Sequence, residues 1–337
     1  MAREKPTAKP LKWGILGASR IARRRFVDAL REAGEEVVAI AASSEERARE
    51  FAKEKGIAKS YGSYEALLDD PEVEAVYLAL SNDLHLEWAI RSARAGKACL
   101  CEKPLVLNGP DAMELHNFFV ESGCRLQEAF MWRHHPQTQW LSEQIAAGEL
   151  GRLQKIHTNF AFTLELPPEN YRWHPDKGGG SLFDLGSYGV NAARYFFGCE
   201  PVAASARGHF LAAPRAVDES LAAWMDFGDG RMATIACSYR TTYFQCLEII
   251  GTEGRAWLER PWTNLDQTTQ VEIERNGDRM VKRFPPENAY ALMVAHFRRA
   301  VRDPAYALRP GEDGAAQAAA MEGLMQSALN QGRVWTP

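Results

Sequence analysis

Apolar and polar positions follow two rhythms along this chain, and the change falls near residue 130. In the first stretch, short apolar runs alternate with segments of helical spacing. Lys12–Leu16 reads as a strand, with a tight turn and a helix over 21–33 after it. Residues 36–42 read as a second strand and Glu45–Lys55 as a second helix. Tyr64–Leu68 predicts a short helix, 75–80 a strand, 84–95 a helix stopped by Gly96, and Ala98–Cys101 a strand. A helix over 111–122 and a strand over 125–129 complete the set. Strands and helices alternating at this spacing build βαβ units around a parallel sheet.

Beyond residue 130 the period shortens. Residues 153–162 alternate as a half-buried strand does. Residues 221–227, Gly228-Asp229-Gly230 and 231–238 read as a hairpin, and 247–250, Gly251-Thr252-Glu253-Gly254 and 255–259 as another. The second part is therefore expected to be an α+β domain with a mostly antiparallel sheet. Ala289–Arg302 and 314–330 are amphipathic helices, expected to pack back on the first domain. The length of 337 residues agrees with two domains, placed at 1–129 and 130–337. The first ten residues read as a disordered arm or a short strap.

Composition adds exclusions. The chain is 46% hydrophobic and 25% charged, with a formal net charge of −4, as in an ordinary globular protein. Basic residues are scattered, so neither nucleic acid nor an anionic membrane surface is an expected partner. No apolar run reaches bilayer length. The polar start carries no signal-peptide core, and the protein is expected in the cytoplasm. None of the six cysteines forms a Cys-x-x-Cys pair. They read as reduced, packed thiols, and no metal site is expected.

The turn after the first strand is Gly17-Ala18-Ser19-Arg20-Ile21-Ala22. A dinucleotide fingerprint needs glycines for the turn, for close approach to pyrophosphate and for helix–strand packing. Gly17 meets the first need and Ala22 the third. Ser19 replaces the second glycine, where its hydroxyl could bond a phosphate or crowd it. The following helix N-terminus can hold the anion. At the end of the second strand, Ser43, Ser44 and Arg47 suit a ribose 2′-phosphate. NADP is therefore preferred, and Glu45 and Glu46 keep NAD possible. Asn82 and His85, in the loop after the next long strand, either line the cofactor crevice or cap a helix.

Chemistry is suggested by two further segments. Glu102-Lys103-Pro104 puts a lysine at the end of an apolar strand. Gly178-Gly179-Gly180-Ser181-Leu182-Phe183-Asp184-Leu185-Gly186-Ser187-Tyr188-Gly189-Val190-Asn191 begins a helix after a glycine turn. Asp184, Tyr188 and Asn191 then share one helical face, and the glycines leave the helix N-terminus open to a substrate oxygen. A phenol ionises only near a pH of about 10 unless helped, and an ammonium beside it favours the phenolate. Tyr188 with Lys103 can thus take a proton from an alcohol. Asp184 is expected to orient a sugar hydroxyl or Lys103. Trp132, Arg133, Arg172, Trp173 and His174 form either a sugar-binding wall or, for the tryptophans, core. His134 and His135 read as packing residues.

The nucleotide-binding half, Glu102-Lys103-Pro104 and the triple-glycine helix resemble the glucose–fructose oxidoreductase/inositol dehydrogenase family, often called Gfo/Idh/MocA. The resemblance covers nearly the whole chain, including Gly251-Thr252-Glu253-Gly254. Many members carry histidine where this chain has Tyr188. Tyrosine followed by Asn191, together with Glu128-Ala129-Phe130-Met131-Trp132-Arg133 and Tyr171-Arg172-Trp173, is similar to the branch of glucose–fructose oxidoreductase, aldose 1-dehydrogenases and dihydrodiol dehydrogenases. It implies a Rossmann domain followed by an α+β domain with an open-faced sheet used for dimers or tetramers. It also implies a nicotinamide-dependent dehydrogenase acting on a sugar hydroxyl, aldose C1 foremost. Lys103, Tyr188 and Asp184 would be catalytic. Gly17, Ala18, Ser19, Arg20, Ile21, Ser43, Ser44, Arg47, Asn82, His85, Glu102 and Lys103 would contact cofactor, and Arg133, Arg172, Trp173 and Asn191 substrate. Three alternatives stay open: an aldose–aldose oxidoreductase with trapped NADP, a trans-dihydrodiol dehydrogenase, and a non-catalytic nucleotide-binding sensor.

Overall fold

A computed structural model describes residues 9–213, 216–263, 266–306 and 311–337. The expected arm lies outside these residues up to position 8. The described chain falls into two compact units. One comprises residues up to Val106, Pro110–Met131 and Asn288–Ala315; the other comprises Leu107–Gly109, Trp132–Glu287 and Ala316–Pro337.

The first unit contains β1 (Lys12–Leu16), α1 (Val27–Glu32), β2 (Glu36–Ala41), α2 (Glu45–Lys55), β3 (Lys59–Tyr61), α3 (Tyr64–Leu68), β4 (Ala75–Leu78), α4 (His85–Arg94), β5 (Ala98–Cys101), most of α5 (Gly109–Ser122) and β6 (Leu126–Glu128). Its six strands are all parallel, in the order β3-β2-β1-β4-β5-β6. This is the doubly wound arrangement of dinucleotide-binding folds. Every residue of β4 and β5 is buried, as expected where helices cover both faces of a parallel sheet. Ser44 caps α2 by accepting from Arg47 N, and Gly56 ends it in the left-handed region. The helix expected over 21–33 opens with a π-helical turn at Ala22–Phe26 before α1. β3 was not expected: three polar or half-buried residues carry no period, and pairing with β2 makes the strand.

The second unit holds α6 (Pro136–Ala146), β7 (Leu153–Ala161), α7 (Ser187–Phe197), β8 (Ala203–Phe210), β9 (Asp218–Asp226), β10 (Met232–Ser238), β11 (Phe244–Gly251), β12 (Gly254–Leu258), β13 (Thr269–Arg275) and β14 (Asp278–Phe284). The strands form one sheet in the order β14-β13-β12-β11-β7-β10-β9-β8. Both expected hairpins are present, and β7 with β10 is the parallel pair in an otherwise antiparallel sheet. α7 covers one face closely enough that a Cβ on Gly189 would stand 2.4 Å from Thr158 Oγ1. The other face is open. One register row across it carries Trp224, Thr234, His157, Glu248, Trp257 and Val281, all exposed or half-exposed. α8 (Ala289–Arg302) belongs to the first unit, and α9 (Gly311–Leu329) from Ala316 onward to the second. Among the described residues no helix is long and apolar enough to cross a membrane.

Candidate functional site

The carboxyl ends of β1, β2, β4 and β5 carry the loops expected to meet a dinucleotide. Gly17 has φ +107°, and a Cβ there would lie 2.7 Å from Ala79 O. The turn therefore needs glycine for both its conformation and its approach to the neighbouring strand. Ser19 Oγ accepts from Ala22 N at 3.2 Å, so the residue in the second glycine's place caps the helix it precedes. Arg20 is exposed, and Ala18 and Ile21 are half-exposed. At the end of β2, Arg47 Nη1 donates to Ser43 Oγ at 2.8 Å. Glu45 is turned toward Gly62, where a Cβ would stand 3.0 Å from its Oε2. A positive-φ glycine turn, a helix N-terminus and a hydroxyl-braced guanidinium fit a nicotinamide dinucleotide with a 2′-phosphate.

The loops after β4 and β5 are tied together. His85 was expected against the cofactor, but its ring is wholly buried. Nδ1 lies 2.8 Å from Pro104 O and Nε2 3.3 Å from Leu80 O. Burial pushes its pKa down, against the pull of those carbonyls. The neutral ring has one N–H and so donates to one of the two carbonyls, and its burial between them makes it clamp the lysine loop instead of offering a group to a ligand. Asn82 is also buried. Tyr77 donates its hydroxyl to Glu102 Oε1, and Lys103 N donates to Glu102 Oε2 at 3.3 Å. Burial first, and the Glu102 charge second, push the Tyr77 phenol well above its usual range. Glu102 thus braces the turn that presents Lys103, which is half-exposed.

In the second unit, the expectation of one regular helical face is corrected. Leu182–Gly186 is a π-helical turn leading into α7, and the three polar side chains find different partners. Asp184 accepts from Arg172 Nε at 2.7 Å and Nη2 at 3.3 Å. Tyr239 OH is 3.1 Å from Asp184 Oδ2 and 2.9 Å from Gly180 O. The carboxylate and neighbouring tyrosines hold the Arg172 guanidinium charged, against burial. Asn191 Oδ1 accepts from Arg133 Nε at 2.7 Å. Tyr188 is 6% exposed, among the rings of Phe160 at 5.6 Å and Trp262 at 5.8 Å. Gly198 closes α7 in the left-handed region.

One further expectation gives way, and one open choice closes. The helix N-terminus is not open: Asp218 Oδ2 accepts from Leu182 N at 2.7 Å and from Ser181 Oγ at 2.6 Å. A buried carboxylate from β9 occupies the place assigned to a substrate oxygen. Trp132 is no part of a sugar-binding wall. It is fully buried, packed on Tyr195, Phe196 and Trp262. Trp173 is 6% exposed and donates its indole N–H to Leu166 O. His135 is buried and caps α6. Asp218 and Tyr239 escaped sequence reading, because an aspartate opening a strand and a tyrosine ending one look like ordinary turn and core residues.

Residues 11–130 match the model of the oxidoreductase family with an NAD-binding Rossmann fold. Residues 138–257 match the GFO/IDH/MocA C-terminal domain. The chain belongs to the Gfo/Idh/MocA oxidoreductase family. Among its relatives is the NADP(+) D-xylose 1-dehydrogenase 2 of Haloferax volcanii, 35% identical over 86% of this chain and 89% of the relative. The trans-1,2-dihydrobenzene-1,2-diol dehydrogenase of Mus musculus is 33% identical over 82% and 80%. A 3-ketoreductase of Actinomadura kijaniata, solved with NADP and TDP-benzene, superposes with a TM-score of 0.86 at 30% identity, over 95% and 98% of the two chains. As a Gfo/Idh/MocA member, the protein is a nicotinamide-dependent oxidoreductase built from a Rossmann domain and an open-sheet domain.

Proposed function

We propose that this enzyme is an NADP-dependent dehydrogenase of a sugar hydroxyl, aldose C1 foremost, with Tyr188 as proton acceptor. The observation that carries the reading is a buried phenol on α7, enclosed by aromatic rings, on the same segment as the Asp184–Arg172 pair. Bound nicotinamide supplies the hydride chemistry. Tyr188 takes the proton as the hydroxyl carbon is oxidised and returns it in the reverse direction. Lys103 favours the phenolate by its charge. Arg172, held by Asp184, and Arg133, held by Asn191, offer fixed donors to sugar hydroxyls, and Trp173 an apolar edge. Gly17, Ala18, Ser19, Arg20 and Ile21 take the pyrophosphate side, and Ser43, Ser44 and Arg47 the 2′-phosphate. The Haloferax xylose dehydrogenase uses NADP. Solved forms of the 3-ketoreductase include variants of one lysine and of one tyrosine, the residue types this reading assigns to the assisting charge and to proton transfer.

The aromatic surroundings of Tyr188 favour a second reading, oxidation of a cyclic dihydrodiol, whose apolar diene edge would pack there. Copies are proposed to pair through the open sheet face into a dimer or tetramer. The test is a panel of aldoses and of benzene dihydrodiol with excess NADP, followed by reduced-nicotinamide absorbance. Continuous turnover on one class names the substrate. A rise stopping at one equivalent means retained cofactor and an aldose–aldose oxidoreductase. No rise on any overturns the dehydrogenase reading in favour of a sensor. Tyr188→Phe should lower kcat by about a thousandfold with NADP binding intact, in the range of general-base losses. Lys103→Ala should likewise be inactive.

A further inference from the structure

The π-helical turn at Leu182–Gly186 sets the angular position of Tyr188. In an α-helix each residue advances about 100° and 1.5 Å. A turn closed by an i to i+5 bond contains one more residue than a regular one. That bond is present here, from Ser187 N to Leu182 O. Rewinding the turn to α geometry would swing every later side chain, Tyr188 first, by about 100° around the axis.

The wide turn is held from outside on both sides. Upstream, Gly180 has φ +105°, and a Cβ there would lie 2.0 Å from Asp218 Oδ1, so the carboxylate fills the space beside the glycine. Asp218 is fully buried, and its Oδ2 fixes both Ser181 Oγ and Leu182 N. It is held by a hydroxyl and backbone amides. Tyr239 adds a bond to Gly180 O. Downstream, Gln317 of α9 donates from Nε2 to Ser187 O at 3.1 Å, and Ser187 Oγ reaches Asp184 O at 3.4 Å.

We propose that Asp218 is a positioning residue for the reaction: by clamping the start of the π-turn it fixes the rotation at which α7 presents the Tyr188 phenol. This rests on the reading of Tyr188 as proton acceptor. The two are tested together by steady-state and single-turnover kinetics of Asp218→Ala, Asp218→Asn and Ser181→Ala, each alone and with Tyr188→Phe. Asp218→Ala should lower kcat by about a hundredfold, the loss expected for a misplacement of about 1 Å. Sugar KM and NADP affinity should stay within about twofold. Asp218→Asn, which keeps an acceptor oxygen, should recover kcat to within about fivefold. In the Tyr188→Phe background Asp218→Ala should add no further loss, because both changes remove the same contribution. Unchanged kcat in Asp218→Ala, or an equal further loss without Tyr188, overturns the proposal. Should Asp218→Ala fail to fold, Ser181→Ala, expected to lose about tenfold, decides by the same comparison. Near-normal turnover in Tyr188→Phe alone overturns the reading of Tyr188 and the proposal with it.

Discussion

At the level of single side chains, the proposed 2′-phosphate site and the cap of the π-turn each make a measurable prediction. Arg47, proposed to meet the 2′-phosphate, is exposed yet braced by Ser43, so its contribution there would be that of a charge-assisted hydrogen bond partly screened by water. Arg47→Ala should weaken NADP binding by about tenfold and leave NAD unchanged, read by calorimetry at fixed salt. Equal losses for both would mean that Arg47 holds some other part of the nucleotide. Asp218 is pushed up from 3.8 to about 6, by burial first, against its hydrogen bonds from Ser181 and Leu182. The folded value lies above the unfolded one, so between these two pH values the native state holds more protons. This group's contribution therefore falls as pH rises, and at neutral pH its charge costs roughly 3 kcal/mol. Asp70, Glu72 and Glu74 are shifted the other way by basic partners, so the whole protein can show the opposite slope. The difference between the parent and Asp218→Asn isolates the effect. In urea unfolding, the asparagine variant should gain relative stability from pH 4 to 6 and hold it above. A flat difference would place Asp218 in a better-solvated state than its burial implies. The need for glycine at position 17 was legible, because the turn after the first strand fixes both residue type and backbone conformation there. Side-chain direction was not legible: His85, assigned to the cofactor, is buried against backbone carbonyls, and Trp132, left open between wall and core, lies in the core. A histidine after a capping loop and a tryptophan beside an arginine look the same in sequence whether they face ligand or core.

Elements were legible in proportion to how far their own residues specify them. β1, α2, α3 and β5 have the expected bounds, because each has a full apolar period or a capping serine at its start. β3, β8, β13, β14 and α6 went unread. In β14 all residues but Phe284 are exposed, and such an edge strand carries charge instead of alternation. β8 opens with small residues, Ala203-Ala204-Ser205-Ala206, and becomes a strand by pairing with β9 and with Trp335 near the C-terminus. The π-turns before α1 and α7 were invisible, since a wide turn changes the phase of a helix without changing composition. α8 shows how a distant element is tied in. Arg298 pairs with Glu35, which also accepts from Leu11 N at 2.7 Å and Trp13 Nε1 at 3.2 Å. Both charged side chains are almost fully buried. Arg298→Met strands a buried carboxylate and should cost about 3 kcal/mol in urea unfolding, whereas Glu35→Gln, which keeps an acceptor for Leu11 N, should cost less. Equal losses would mean that the charge itself contributes little and that the backbone contacts dominate.

At the scale of the whole molecule, the change of rhythm near residue 130 was enough to read two kinds of sheet, because each kind imposes its own pattern. Strands covered on both faces become continuous apolar runs, and a sheet covered on one face alternates. The second pattern has a consequence for assembly. β7 and β10 to β12 bury one set of side chains under α7 and its neighbours and turn the other set to the open face. That face is neither uniformly charged nor uniformly apolar. Trp257 and Phe244 are 37% and 43% exposed on adjacent strands, and Trp257 stands opposite Glu248 and Glu272 in register. Large aromatic side chains in a polar frame are what interface centres carry, and a monomer rarely leaves such a patch uncovered. If copies pair there, Phe244→Asp and Trp257→Arg together should lower the mass seen by light scattering to that of one chain, because unpaired charges at a dry interface centre are strongly unfavourable. Circular dichroism should not change, since both residues project from the finished sheet and not into its core. NADP binding should not change either, because the dinucleotide loops stand on the other sheet. A native protein already of single-chain mass at micromolar concentration would remove the proposed pairing, and a variant that keeps the native mass would move it to another surface.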